Sequence, residues 1–313
     1  MVRAHWRYGF VAVGFLAGLA SALIASGVRA DLFVSSDGLG TVLQYDENTG
    51  NFITDFVGGG VGGARGVLIG PDGNLYAASS SHNSILRYDP TGSLVDIFVT
   101  GGTELSGPRG IIFGPDGNLY VSSKNTSSVV RYNGTSGLLM DTFVHAGSGG
   151  LNGPRGLVFG PDGNLYVASF GDVSGAMSAA VLRYNGNTGA FMDIFATDSA
   201  SNSTNGINGL TFGPDGNLYV TKGSSDTIIR YNGSTGQQID YFVQGNGIPG
   251  DPNGILFGPD GNLYVGDLTH GGVIRFDGTT GDLIDLFVDP TTSGNVTYMT
   301  FSKTDPVTLN YKP

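Results

Sequence analysis

Three arginines stand at a near-regular stride: Arg65, Arg109 and Arg155 each precede a glycine and lie 44 and 46 residues apart. Continuing that stride places Asn208, Asn253 and Thr297 at the next three equivalent positions. Guanidiniums brought to one point suit a carboxylate, phosphate or sulfate, because each offers a rigid planar fork of donors. Neutral amides and a hydroxyl would complete such a ring with uncharged hydrogen bonds. The plainer reading is that each arginine packs over a neighbour or bonds a loop carbonyl and so serves the turn it stands in.

Other chemistry-bearing residues are few. Beyond residue 30 the histidines are His82, His145 and His270, and Glu104 is one of two glutamates in the chain. A histidine beside a carboxylate does general acid–base work, and His82 with Glu104 is the pair whose loops adjoin; His270 holds the position equivalent to His82, a whole repeat unit away. The plainer reading of all three is a solvated loop position. With no cysteine and no DxDxDG-type loop, a Ca²⁺ or Mg²⁺ in a central channel would depend on Asp37, Asp267 or backbone carbonyls. Nucleophile elbows, phosphate loops and nucleotide fingerprints are absent, and the many Gly-x-Gly runs are repeat turns.

A repeat must position these residues. Gly-Pro-Asp-Gly-Asn-Leu-Tyr begins at Gly70, Gly114, Gly160, Gly213 and Gly258. A sixth unit is divided between the ends: Leu32-Phe33-Val34 precedes Leu75-Tyr76-Ala77 by 43 residues, and Tyr298-Met299-Thr300-Phe301 follows Gly254-Ile255-Leu256-Phe257 by 44. Each unit reads as four short strands, A to D, exemplified by 110–113, 119–122, 128–132 and 139–144. The A–B turn is Gly-Pro-Asp-Gly-Asn and the C–D turn Asn-Gly-Thr-Ser-Gly, both with hairpin chemistry. A period near 45 with four strands per unit predicts a β-propeller. The expected fold is all-β, a six-bladed propeller over residues 31–313 whose ring is closed by N- and C-terminal strands sharing blade one. Composition agrees: 54 Gly and 13 Pro among 313 residues, with only 13% charged, fit neither a disulfide scaffold nor a helical bundle. The formal charge of −11 becomes −14 without Arg3, Arg7 and Arg29, which argues against general nucleic-acid affinity.

The units resemble NHL-type repeats, and more narrowly those of secreted streptogramin-lyase-like (virginiamycin B lyase-like) propellers, over essentially all of the chain beyond residue 30. That resemblance implies the fold; for activity it spans lyases, lactonase-like enzymes and pure binding modules. The lyase of that family implies seven blades and a catalytic His and Glu, against six blades here. Its histidine lies in a loop like that of His270, although no flanking motif matches.

Residues 1–30 read as an export signal, with Arg3 and Arg7 before an apolar run over 9–28 and a cleavage site after Ala30. Left uncleaved, that run is long enough to anchor the chain in a membrane. Loop lengths vary only in the B–C and D–A connections, most of all between Tyr166 and Tyr184, so the face carrying those loops is the expected functional face and the insertion from Gly171 to Ala179 overhangs it. Acids that recur from blade to blade (Asp72, Asp116, Asp162, Asp215 and Asp260 in five A–B turns; Asp55, Asp96, Asp141, Asp193, Asp240 and Asp285 in strand D) read as structural. Arg87, Arg131, Arg183, Arg230 and Arg275 should pair with the strand D acids. The expectation is a secreted, periplasmic or extracellular monomer that binds an extracytoplasmic protein, glycan or small anionic ligand through Arg65, Arg109, Arg155, Asn208 and Asn253. The alternative is a C–O lyase or lactonase-like hydrolase acting through His82, His270 and Glu104.

Overall fold

The computed structural model describes residues 31–171, 179–197, 206–223, 226–245 and 250–302. Residues 1–30, read above as an export signal, most of the 171–179 insertion and the residues beyond 302 lie outside the described residues. Six four-stranded antiparallel sheets are present, each ordered A-B-C-D. The six A strands contact one another around a central axis, so D forms the rim. A one-turn helix, Pro290–Ser293, and a 3-10 turn, Ser148–Gly150, are the helical elements among the described residues.

The predicted closure is formed. Strand A of blade one, Val296–Phe301, pairs with strand B, Asp31–Ser36, in the register Leu32↔Phe301 and Val34↔Met299. Blade one then locks onto blade six as the other blades lock together: Gly50 has φ 68°, and a Cβ there would collide with the carbonyl of Phe287. Only glycine combines that left-handed backbone with so close an approach.

Between blades the packing repeats with the aromatic spacing. The strand B Tyr120 stands edge-on to Phe143 of its own blade, at 4.9 Å between ring centroids, and to Phe159 of the next blade, at 5.1 Å. Rings offset in this way add to the hydrophobic gain of burying them. Tyr76, Tyr166, Tyr219 and Tyr264 repeat the arrangement. Each tyrosine keeps its hydroxyl satisfied by donating to the A–B turn acid, as Tyr76 does to Asp72 at 2.9 Å. Burial pushes the Tyr76 pKa up to about 12.

The recurring arginines pair as expected. Arg87 donates from Nε and Nη2 to Asp96 at 3.1 and 2.5 Å and lies over the ring of Phe98. Arg131, Arg183, Arg230 and Arg275 do the same with Asp141, Asp193, Asp240 and Asp285. Blade one departs: Asp55 faces Leu43, and Gln44 stands where the arginine would be and donates to Asp31 at 2.6 Å. Asp55 is therefore not a member of that series.

Strand A is longer than turn chemistry alone predicts. In blade three it runs from Pro108 to Phe113, so Arg109 lies inside the strand. Pairing with strand B steps from Pro108↔Ser123 to Ile111↔Val121, which leaves Arg109 and Gly110 bulged opposite one residue. The same step occurs in every complete blade, at Arg65, Arg155, Asn208 and Asn253. A bulge re-aims side chains that a regular strand would send between the sheets.

Candidate functional site

The bulged residues begin the innermost strands at the end where the B–C and D–A loops meet. Those loops bond each other, Ser80 N–H to the Gly63 carbonyl at 3.1 Å and Lys124 N–H to that of Gly107 at 3.2 Å, so they form one face. The backbone of alternate ring positions is fixed from the preceding blade. Hydroxyls of Ser35, Ser122 and Thr221 donate to the carbonyls of Arg65, Arg155 and Asn253 at 2.5, 2.6 and 3.0 Å.

The side chains divide into two halves. In blades two to four, Arg65 donates from Nη2 to Asp37 at 2.5 Å. Arg155 lies 3.8 Å above the ring of Phe170 and donates from Nη1 to the Asn208 side-chain oxygen. Thus part of the plainer reading holds, since these two arginines do lean on neighbours. Yet Arg65 Nε and Nη1, Arg109 Nε and Arg155 Nε are buried with no hydrogen-bond partner among the described residues. The three guanidiniums also feel one another. Arg155 is pushed down to about 10 by burial and then by Arg109, and Arg65 is lowered by the same two causes in the same order. Lys124, at the start of the blade three B–C loop, is lowered by burial and then by all three arginines, so it is a fourth cation of the cluster.

In blades five, six and one the equivalent residues are buried and neutral: Asn208, Asn253 and Thr297. Asn208 donates to Asp251 at 2.8 Å and to the Pro252 carbonyl at 2.9 Å, while Thr297 donates to the Ala64 carbonyl at 2.9 Å. The polar groups of Asn208 and Thr297 are thus spent on neighbouring blades.

One participant escaped the sequence reading. Tyr298 follows Thr297, and its hydroxyl is buried without a partner among the described residues. Burial raises its pKa against the pull of Arg109, Arg155 and Arg65. The available signal was a break in the repeat: the residue after the ring position is Gly66, Gly110, Gly156, Gly209 and Gly254 in five blades. Lys124 and Phe170 gave no such signal, because both stand at the first position after strand B, where the blades carry unlike side chains.

The remaining candidates are dispersed. His82 Nδ1 lies 2.9 Å from Ser79 Oγ. The Glu104 carboxylate accepts from Thr103 at 3.3 Å and from Thr142 of blade three at 3.2 Å, so these hydrogen bonds do not join it to His82. His270 is 71% exposed and sets Nδ1 3.1 Å from the buried carboxylate of Asp267. Asp267 also accepts from the backbone N–H groups of Thr269, His270 and Gly250 at 2.8, 2.8 and 3.2 Å.

A divalent metal, which the lactonase-like side of the resemblance implies, does not fit this mouth. Of the two carboxylates expected to hold it, Asp37 is engaged by Arg65 and Asp267 by backbone donors and His270. Three guanidiniums and an ammonium would repel the cation. Among the described residues no three of His, Cys, Asp and Glu gather where they could hold an ion.

Comparison with known proteins gives a family and a set of shapes. The model of the family described as SMP-30/Gluconolactonase/LRE-like region matches residues 100–310. No curated protein matches the chain. Among solved structures, a chain of the nidogen/laminin complex is similar at TM-score 0.67 and 18% identity, covering 87% of this chain and 98% of that one. A catalytically inactive His-to-Ala variant of virginiamycin B lyase from Staphylococcus aureus, with quinupristin, gives TM-score 0.59 and 17% identity over 88% of this chain and 92% of that one. A protein proposed to be a gluconolactonase gives 0.60 and 18% over 83% and 82%.

Proposed function

Because the chain belongs to the SMP-30/gluconolactonase/LRE-like family of NHL-type β-propellers, a fold that hosts binding and catalysis alike, we propose that it is an exported binding module that takes an anionic group of its ligand at the channel mouth. The observation that carries this reading is the set of buried arginine nitrogens at Arg65, Arg109 and Arg155 that have no partner among the described residues. A buried donor left unpaired costs about 1–3 kcal/mol, and more when the group is charged. Gathering like charges adds to that cost. An oxyanion among the three guanidiniums relieves both. Asn208 and Asn253 complete the ring on its neutral side and shape the opening.

Export is read from the leader, with residues 31–313 as the mature domain and the periplasm or the cell exterior as its place. The nidogen/laminin complex holds a propeller of similar shape, which supports an extracytoplasmic protein as the carrier of the anionic group, with a glycan or a free small anion as other carriers of the same chemistry. The test is calorimetric titration of the purified domain with sulfate. Binding is expected in the parent, weakening as sodium chloride is raised, and lost when Arg65, Arg109 and Arg155 are all changed to Ala. Equal binding by that triple variant would make the arginines structural.

A second reading, a lyase or lactonase-like hydrolase, draws on His270. Its ring is open to solvent and oriented by a buried aspartate, the arrangement of a general base, and a histidine variant of the similar lyase is inactive. Ring opening of quinupristin by the purified domain, abolished in His270→Ala, would put this reading first.

A further inference from the structure

The position that is glycine in five blades and tyrosine in the closing blade decides what kind of anion the mouth admits, an inference that rests on the anion reading above. A Cβ at Gly66 would stand 2.5 Å from the Arg109 carbonyl oxygen, and one at Gly254 would stand 2.6 Å from that of Thr297. Neighbouring inner strands leave no room for a side chain in the bulge. Tyr298 instead pairs directly with Ser35. One aromatic ring therefore stands at a level of the channel where the other five strands present only glycine.

This ring has different surroundings on its two sides. It borders a cavity of about 380 Å³ that follows the inner strands to the A–B turns at Gly70 and Gly114 and has none of the three ring arginines in its wall. Its hydroxyl is sealed from solvent and lies in the field of Arg109, Arg155 and Arg65. The phenol thus stands next to the arginine ring, since Gly66, Gly110 and Gly156, which follow Arg65, Arg109 and Arg155 in the chain, line the same cavity, and its one donor is unpaired among the described residues.

We infer that Tyr298 is the floor of the anion site: it donates its hydroxyl to the bound oxyanion and stops the channel, so that the ligand presents a terminal anionic group end-on. A carboxylate at the end of a chain, or a sulfate or phosphate monoester, satisfies this geometry. A phosphodiester carries a substituent on both sides of the anion, and one of the two would have to pass Tyr298.

The experiment uses probes of equal charge, phenyl sulfate and diphenyl phosphate, with inorganic sulfate as reference, each titrated into the purified domain. The parent is expected to bind sulfate and phenyl sulfate and to bind diphenyl phosphate at least about tenfold more weakly. Tyr298→Phe should lower sulfate affinity about tenfold, the scale of one hydrogen bond to a charged group. It should not lower the thermal midpoint, because the hydroxyl it removes has no partner among the described residues. Tyr298→Gly, which restores the repeat, should bring the two organic probes to within about threefold. Equal binding of both probes by the parent, or undiminished sulfate binding by Tyr298→Phe, overturns this inference and leaves the anion reading standing. No binding of any probe by the parent overturns both.

Discussion

The two halves of the channel mouth use one strand position to opposite ends. In blades two to four it carries arginines whose charge is poorly answered, with Asp37 the one carboxylate bonded to a ring arginine among the described residues. Blades five, six and one carry Asn208, Asn253 and Thr297 there, buried and uncharged. The bulge that aims the five residues from Arg65 to Asn253 is shared, so the backbone provides only a direction. Chemistry is added by side chain, blade by blade. A site spread over three blades also ties its geometry to the ring, since no single blade holds enough of it to bind.

The comparison can be broken at several levels. The largest effect is expected from deleting the chain from Asn295 onward, which removes the strand paired with Asp31–Ser36 and exposes a blade edge. Both halves should be lost together, seen as disappearance of the cooperative thermal transition; an unchanged midpoint would refute the closure. Next, Arg65→Ala, Arg109→Ala or Arg155→Ala alone should weaken sulfate binding by roughly 1.5–3 kcal/mol, the scale of a charged hydrogen bond out of water. Matching losses at Asn208→Ala would erase the distinction between the halves.

Arg155→Asn sharpens the contrast by making blade four resemble blade five. It removes a buried cation whose pKa is depressed to about 10, so the thermal midpoint should rise while anion affinity falls. A change of the same sign in both quantities would contradict a site maintained at the expense of stability.

Alkaline pH separates mouth from scaffold more gently. Arg155 binds its proton more weakly folded than unfolded, so its contribution to stability grows as pH rises from about 10 toward the ordinary arginine value. The scaffold tyrosines act oppositely. Tyr76, Tyr120 and Tyr219 are raised from 10.0 to about 12, so the stability they contribute is present below pH 10 and is lost as pH climbs through about 12. Their number decides the net sign, and stability should fall over that window. Tyrosinate absorbance should lag behind that of free tyrosine and then appear with unfolding. The smallest expected effect is on catalysis: no quinupristin ring opening by the purified domain with Mg²⁺ present, checked by the ultraviolet spectrum of the product.

Blade number, closure and the strand C–D ion pairs were legible because each repeats with the period, and repetition turns a weak local signal into a strong one. The ring of Arg65, Arg109 and Arg155 was legible for the same reason. What escaped depends on contacts between non-equivalent residues. Asp37 looked like a channel metal ligand and is instead the partner of Arg65, a pairing between neighbouring blades that no period reveals. Glu104 and His82 share a neighbourhood in sequence, but their hydrogen bonds lead elsewhere, to Thr142 and Ser79, since hairpin geometry fixes where a loop starts and not where its side chains point. Tyr298 was hidden by its place in the divided blade, where the residue expected by the repeat is a glycine.

Joining the two ends in one blade also has a consequence for biogenesis. Ser35 and Tyr298, hydrogen-bonded across the seam, are 263 residues apart, whereas the other strand pairs are hairpin neighbours. Closing an open chain over that distance costs about 5 kcal/mol in the logarithmic part of its loop entropy. The cost is met only after blades two to six have stacked and brought the ends together. During synthesis strand B of blade one emerges first and waits, with its inner edge unpaired, for the last strand to arrive. Until then the stacked blades form an open arc with an exposed edge at each end, the state most prone to pair with another chain. The time spent as an arc should therefore govern how much protein is lost to aggregation during production, and slower synthesis of the stretch before Val296 should lower the yield without changing the finished molecule.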